Sequence, residues 1–194
     1  MDIGRTALRL VIGPLFVGHG TQKLFGWFGG HGLEGTAGFF EGKLGLKPGK
    51  RHATAAGASE AIGGALLTVG ALTPVAAGLI TGTMITAIRK VHAPNGPWVT
   101  QGGYEYNAVL IAAVLALTAD GPGRPSVDAA VFPRLKGDAL ALATFAGAAA
   151  AAAYLTADRS EPAADEAPAV EQVTAPRQER FARESADVPA ASSN

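Results

Sequence analysis

Glu60 stands in the middle of an otherwise apolar stretch, ASEAIGGALL, and His19 and Lys23 lie four residues apart at the end of another. Residues at i and i+4 share one face of a helix, so His19 and Lys23 are neighbours. An ionisable side chain inside a membrane-length apolar segment costs about 2.5–3.5 kcal/mol on insertion scales, so it has a partner and often a function. For Glu60 two readings stay open: an ion pair with Lys23 or Arg89 that holds a bundle together, or a carboxylate that carries a proton or binds a ligand. For His19 they are a hydrogen-bonded interior histidine and a functional base.

Other chemistries find no support. There is no cysteine among the 194 residues, which removes disulfides, thiolate nucleophiles, cysteine-bound iron–sulfur clusters and covalently attached haem. His19 and His92 differ by roughly 9 Å in depth at helical rise, and His31 and His52 belong to a loop or its end, so no metal or haem site is expected. No glycine pattern follows a strand as a phosphate cradle does. No basic domain or aromatic-interleaved basic stripe exists, so nucleic acid is not an expected partner. Redox chemistry, if any, needs a bound organic cofactor, a histidine-ligated metal or a partner protein.

The elements that must position these residues are apolar helices. The chain is 48% hydrophobic and 16% charged, below the roughly 25% charge of a soluble domain. The first apolar segment covers residues 6–28; Arg5 and Arg9 precede or enter it as in a signal peptide, but no small-x-small cleavage site follows. It reads as an uncleaved helix with Trp27 and Phe28 as an interfacial anchor. Residues 29–52 are glycine-rich and charged, with Phe39-Phe40 suggesting a short interfacial or re-entrant piece. Segments 53–72 and 75–91 are joined by Thr73-Pro74, a turn so short that they must be antiparallel neighbours. The run His92-Ala93-Pro94-Asn95-Gly96-Pro97-Trp98 breaks any helix. Segment 104–119 is the shortest, and 139–157 is alanine-dominated, either a fifth span or a helix resting on the membrane. Three regions follow: a four-helix membrane core over 1–128, a linker and fifth helix over 129–157, and an acidic tail over 158–194 expected to be disordered. The fold class is all-α, a multi-pass bundle in the plasma membrane.

Depth then sorts the polar residues. His19 lies roughly 13 Å and Glu60 roughly 11 Å from the same face, on consecutive antiparallel helices. The third helix brings Arg89, Lys90 and His92 to that face, and the fourth leaves it with Tyr104, Glu105, Tyr106 and Asn107. One end of the bundle is therefore expected to be a polar, aromatic-rimmed cavity and the other inert packing. The glycines Gly13, Gly18, Gly20, Gly57, Gly63, Gly64 and Gly70 read as close helix contacts. Basic residues on the two sides are nearly balanced, with a slight bias toward a cytoplasmic polar face.

The ordered motifs HGTQKLFGWFGGHGLEGTAGFFE at 19–41, ASEAIGG at 58–64, VHAPNG at 91–96, GGYEY at 102–106 and GPGRPSVD at 121–128 resemble the DoxX family of bacterial membrane proteins, over residues 5–128. The resemblance implies a multi-pass protein with recurrent polar positions at His19, Lys23, Glu60, His92, Asn95, Tyr104 and Glu105. It implies one of two company types: a thiosulfate:quinone oxidoreductase, or a membrane complex with a superoxide dismutase and a sulfurtransferase that supports thiol and oxidative-stress homeostasis.

The leading expectation is a membrane redox component that binds a quinone or a small sulfur species at the polar end. Glu60 carries a proton, and His19 and Lys23 contact a quinone oxygen. Arg89 and His92 draw an anionic substrate, Asn95 and Glu105 bind the ligand with them, and Trp27, Trp98 and Tyr104 line the mouth. A soluble partner, a superoxide dismutase or sulfurtransferase, supplies the electron-transfer chemistry. The alternative is a non-enzymatic scaffold that anchors such enzymes through the acidic tail or the basic loop 43–51. A small-solute transporter ranks third, because the far half offers no path.

Overall fold

A computed structural model describes residues 2–157; the acidic tail 158–194, expected to be disordered, lies outside the described residues. Among the described residues all regular structure is helical and no strand occurs. The order is α1 (Ile3–Phe25), α2 (Gly32–Gly42), α3 (Gly49–Val69), α4 (Thr73–Ala87), α5 (Glu105–Asp120), α6 (Val127–Val131) and α7 (Asp138–Thr156). A π turn over Ile88–His92 prolongs α4.

Helix α1 ends at Phe25 because Gly26 takes the left-handed conformation, φ 74°, and its N–H closes on Gln22 O. Trp27 and Phe28 therefore sit on a separate exposed turn rather than on the helix. The glycine-rich stretch after them holds a helix, α2, whose Ala37 and Phe40 bury against Leu46 and Ala53. Four glycines in eleven residues hid it, since each lowers helix propensity.

Glycine spacing fixes how α1 meets α3. Gly13 faces Gly64 and Gly20 faces Gly57, seven residues apart on each antiparallel helix; a Cβ on Gly20 would lie 2.6 Å from Gly57 O. Backbones approach that closely only without side chains. Gly18, grouped with them from sequence, has open space around it instead. Gly20→Leu is expected to lower stability by about 1–3 kcal/mol through overpacking, read as a fall in the unfolding midpoint in detergent. An unchanged midpoint would mean the helices part freely there.

Behind this seam, Leu67 of α3, Ile80 of α4 and Val114 and Leu117 of α5 form the centre of the core with Ile12 and Phe16 of α1. Helix α7 lies on α4, where Gly78 meets Thr144 and Gly82 meets Ala148. Among the described helices α7 is the one long and apolar enough to cross a membrane by length and composition. Helices α1 and α3 have the length but carry Arg5, Arg9 and Lys23, and Lys50, Arg51 and Glu60. Helices α4 and α5 have 15 and 16 residues.

The end remote from the polar loops is not the inert packing expected of it. Arg9 is 2% exposed there, and its guanidinium donates to Pro122 O at 2.8 Å, Thr68 O at 2.7 Å and Pro125 O at 2.5 Å. Asp128, equally buried, accepts from Leu72 N at 2.8 Å, Thr73 N at 2.7 Å and Thr73 Oγ1 at 2.6 Å. Leu72 has a positive φ of 46° and no capping side chain of its own. Asp128 thus caps α4 from a distant segment, meeting both the free N–H groups and the positive end of the helix dipole. Arg9 was placed by sequence as a flanking charge, and nothing local signals that loop 121–125 folds over it.

Candidate functional site

Helices α1, α2, α3, α4, α5 and α7 surround a cavity of about 560 Å³. The helix contacts set the level of its polar side chains. Gly20 packs on Gly57 and Ala61, which puts His19 and Lys23 beside Glu60. Gly63 packs on Leu79 and Ile80; one turn toward the polar end from that contact are Glu60 and Met84. Met84 Sδ in turn receives Asn107 Nδ2 at 3.2 Å. Four helices therefore bring a polar or polarizable group to one level, and His19, Lys23, Glu60, Met84 and Asn107 all line the cavity.

Glu60 is paired. Lys23 Nζ donates to Glu60 Oε2 at 2.5 Å, with side chains 27% and 6% exposed respectively. Of the two cations sequence offered as its partner, Lys23 holds the position; Arg89 is exposed and outside the lining. The pair is asymmetric: the ammonium reaches solvent or a ligand, while the carboxylate depends on the ammonium.

His19 has its tautomer set by a relay. Gln22 Nε2 donates to Phe28 O at 3.2 Å, so its Oε1 is the atom 3.1 Å from His19 Nδ1, which must carry the proton. Neutral His19 then keeps Nε2 as an acceptor. His92 also lines the cavity, and its Nδ1 lies 2.7 Å from Gly102 O, which can only accept. Its Nε2 is likewise the free acceptor. Among the described residues no three His, Asp or Glu side chains gather as a metal-sized cluster.

The remaining expected contacts stand elsewhere. Asn95 Nδ2 donates to Gly102 O at 3.2 Å and Glu105 Oε1 accepts from Val99 N at 2.8 Å, so both hold the shape of the loop between α4 and α5. Tyr104 caps α5, its N–H on Gly96 O. Trp27 and Trp98 are exposed. None of these five belongs to the lining. Sequence reading passed over Asn107, only 7% exposed, as a site residue. The available signal was its register: Asn107 continues the buried stripe of Leu110, Ile111, Val114 and Leu117, so it faces inward.

The DoxX family model matches residues 4–93, which include His19, Lys23, Glu60 and His92 and stop short of Asn107 and α7. A protein of Bacillus subtilis (strain 168) named "Putative oxidoreductase CatD" is 34% identical over 117 residues, which are 60% of this chain and 80% of that protein. No solved structure matches.

Proposed function

The chain belongs to the DoxX family, a membrane-associated family, and from that premise we propose that it is a multi-pass redox component of a bacterial plasma membrane. Its ligand is a quinone or a small sulfur species held in the central cavity. Multi-pass insertion is favoured by the apolar side chains turned outward on several helices: Val11 and Leu15 on α1, Ile62 and Val69 on α3, Val75 on α4 and Val109 on α5. Such a belt suits lipid rather than water.

The observation that carries the reading is the Lys23–Glu60 pair in the lining of a mostly apolar cavity, with His19, His92 and Asn107 around it. Charges are placed in such surroundings at a cost, and they mark ligand and proton sites. A quinone becomes a hydroquinone by taking up two electrons and two protons. The two electrons come from a reduced sulfur species, such as two thiosulfate ions joined as tetrathionate, handled by a soluble partner enzyme of the sulfurtransferase or superoxide dismutase type. Lys23 donates to a ring oxygen, Glu60 passes a proton recovered from solvent at the polar end, and His19 Nε2 accepts from the hydroxyl so formed. The relative's name, an oxidoreductase, is consistent with this class of chemistry.

Equilibrium binding of a short-chain quinone to the purified protein tests it. Glu60→Gln is expected to weaken binding about tenfold, the worth of one charge-assisted contact. Wild-type affinity in that variant would remove Glu60 from the site, and thiosulfate that displaces the quinone would favour the sulfur species. A scaffold role is the second reading, favoured by the exposure of Lys43 and Lys47 in the loop after α2 and of Lys50 and Arg51 in the first turn of α3. Neutralising those four would then abolish co-purification of the soluble enzyme, while Glu60→Gln would not.

A further inference from the structure

The cavity has a polar floor and an apolar, open side. Glu60 and Asn107 line the floor, at 5% and 7% exposure. Leu15 of α1, Phe39 of α2 and Leu155 of α7 line it as well, yet they are 51%, 47% and 47% exposed. A side chain that borders a cavity and the outer surface at once stands at an opening. Ala55, Tyr106 and Ala151 are placed in the same way, and so is the ionisable His19; an opening with so much apolar surface suits lipid, whereas an aqueous entrance is rimmed by polar groups.

Helix α7 says what lies outside that opening. It is the described helix long and apolar enough to cross a membrane, and it exposes Leu142, Tyr154 and Leu155. Its inner face is built of small residues, with Ala148, Ala151 and Ala152 lining the cavity. These alanines keep the α7 wall of the cavity free of long side chains, a slot beside the contact in which Gly82 of α4 meets Ala148.

We infer that the ligand enters sideways from the bilayer past Phe39 and Leu155, and that it is an amphiphile: a polar ring seated at Lys23–Glu60 with an apolar tail along the alanine face of α7. This rests on the proposed function and narrows it, since a small water-borne sulfur anion has no tail to fill the slot. It also gives α7, which lies beyond the residues matched by the family model, the role of selecting the ligand.

The test uses the full chain in lipid nanodiscs and two probes with one head group, 2,3-dimethoxy-5-methyl-1,4-benzoquinone without a tail and with a decyl chain. Affinities are compared per mole of probe in the membrane, so that partitioning cancels. The wild-type protein is expected to hold the decyl form at least tenfold more tightly, which about two buried methylenes would supply. Ala151→Phe fills the slot from an exposed position, where folding tolerates bulk; it is expected to weaken the decyl form about tenfold and leave the tailless form unchanged. Ala152→Phe repeats the test at a buried position, with the unfolding midpoint measured alongside. Equal affinity for the two probes in the wild type overturns the inference but leaves the site standing, as does an Ala151→Phe variant that binds the decyl form normally. No binding of either probe to the wild type overturns both the inference and the quinone reading beneath it.

Discussion

Arg9→Met is expected to destabilise the protein more than any change at the cavity. Three backbone carbonyls, of Thr68, Pro122 and Pro125, take their hydrogen bonds from this one guanidinium. Methionine fills much of the volume but donates nothing, and each buried acceptor left unmet costs about 1–3 kcal/mol. Relaxation recovers part of that, so the net loss is on the order of 3–5 kcal/mol, comparable to breaking a buried ion pair. For a chain of this size the unfolding midpoint falls by about 10 °C. Arg9→Lys is expected to lie between, because an ammonium is a point donor and lacks the fork that reaches three carbonyls.

Asp128 gives the matching result from the other strand of the knot. Gly70 lies between them, its carbonyl accepting from Asp128 N at 2.8 Å while a Cβ on it would come 2.8 Å from Arg9 Nη1. Asp128→Asn turns one of two acceptor atoms into a donor facing N–H groups, at a cost of about 2 kcal/mol. A midpoint for Arg9→Met within about 2 °C of wild type would mean that water replaces the guanidinium and that the far end is open.

How much of this was legible depends on whether a residue's partner is near in sequence or in a recognisable pattern. The level shared by His19, Lys23 and Glu60 could be read because two antiparallel helices with a known rise fix depth arithmetically. Gly13, Gly20, Gly57 and Gly64 marked the seam between those helices for the same reason. Asn107 was visible only in hindsight of register, since an asparagine in the first turn of a helix is more often a capping or surface residue. Arg9 and Asp128 could not be read at all: 113–116 residues separate Arg9 from the loop carbonyls it serves, and backbone acceptors carry no sequence signature. Asn95 and Glu105 pose the opposite difficulty, since their hydrogen bonds to Gly102 O and Val99 N lie within one irregular loop. A polar residue that shapes a turn and one that touches a ligand look alike until the backbone partner is seen.

The Lys23–Glu60 pair separates what the protein keeps for stability from what it keeps for function. Lys23→Met is expected to be the costlier single change there, about 2 kcal/mol, because it strands a carboxylate that is 6% exposed. Glu60→Gln strands an ammonium that is 27% exposed and still reaches water, for about 1 kcal/mol or less. Combined, the two substitutions give a neutral pair of nearly unchanged shape. The double variant is expected to recover most of the loss, a coupling of about 1–2 kcal/mol in a double-mutant cycle. Buried ion pairs exchanged for neutral groups are often no less stable, so nothing in the packing alone requires charges at this level. Unfolding midpoints and quinone binding measured on the same four proteins then decide between the two open readings of Glu60. A double variant that is stable yet binds no quinone assigns the charges to the ligand. One that is stable and binds as the wild type does reduces the pair to a bundle contact, and the proton role of Glu60 falls with it.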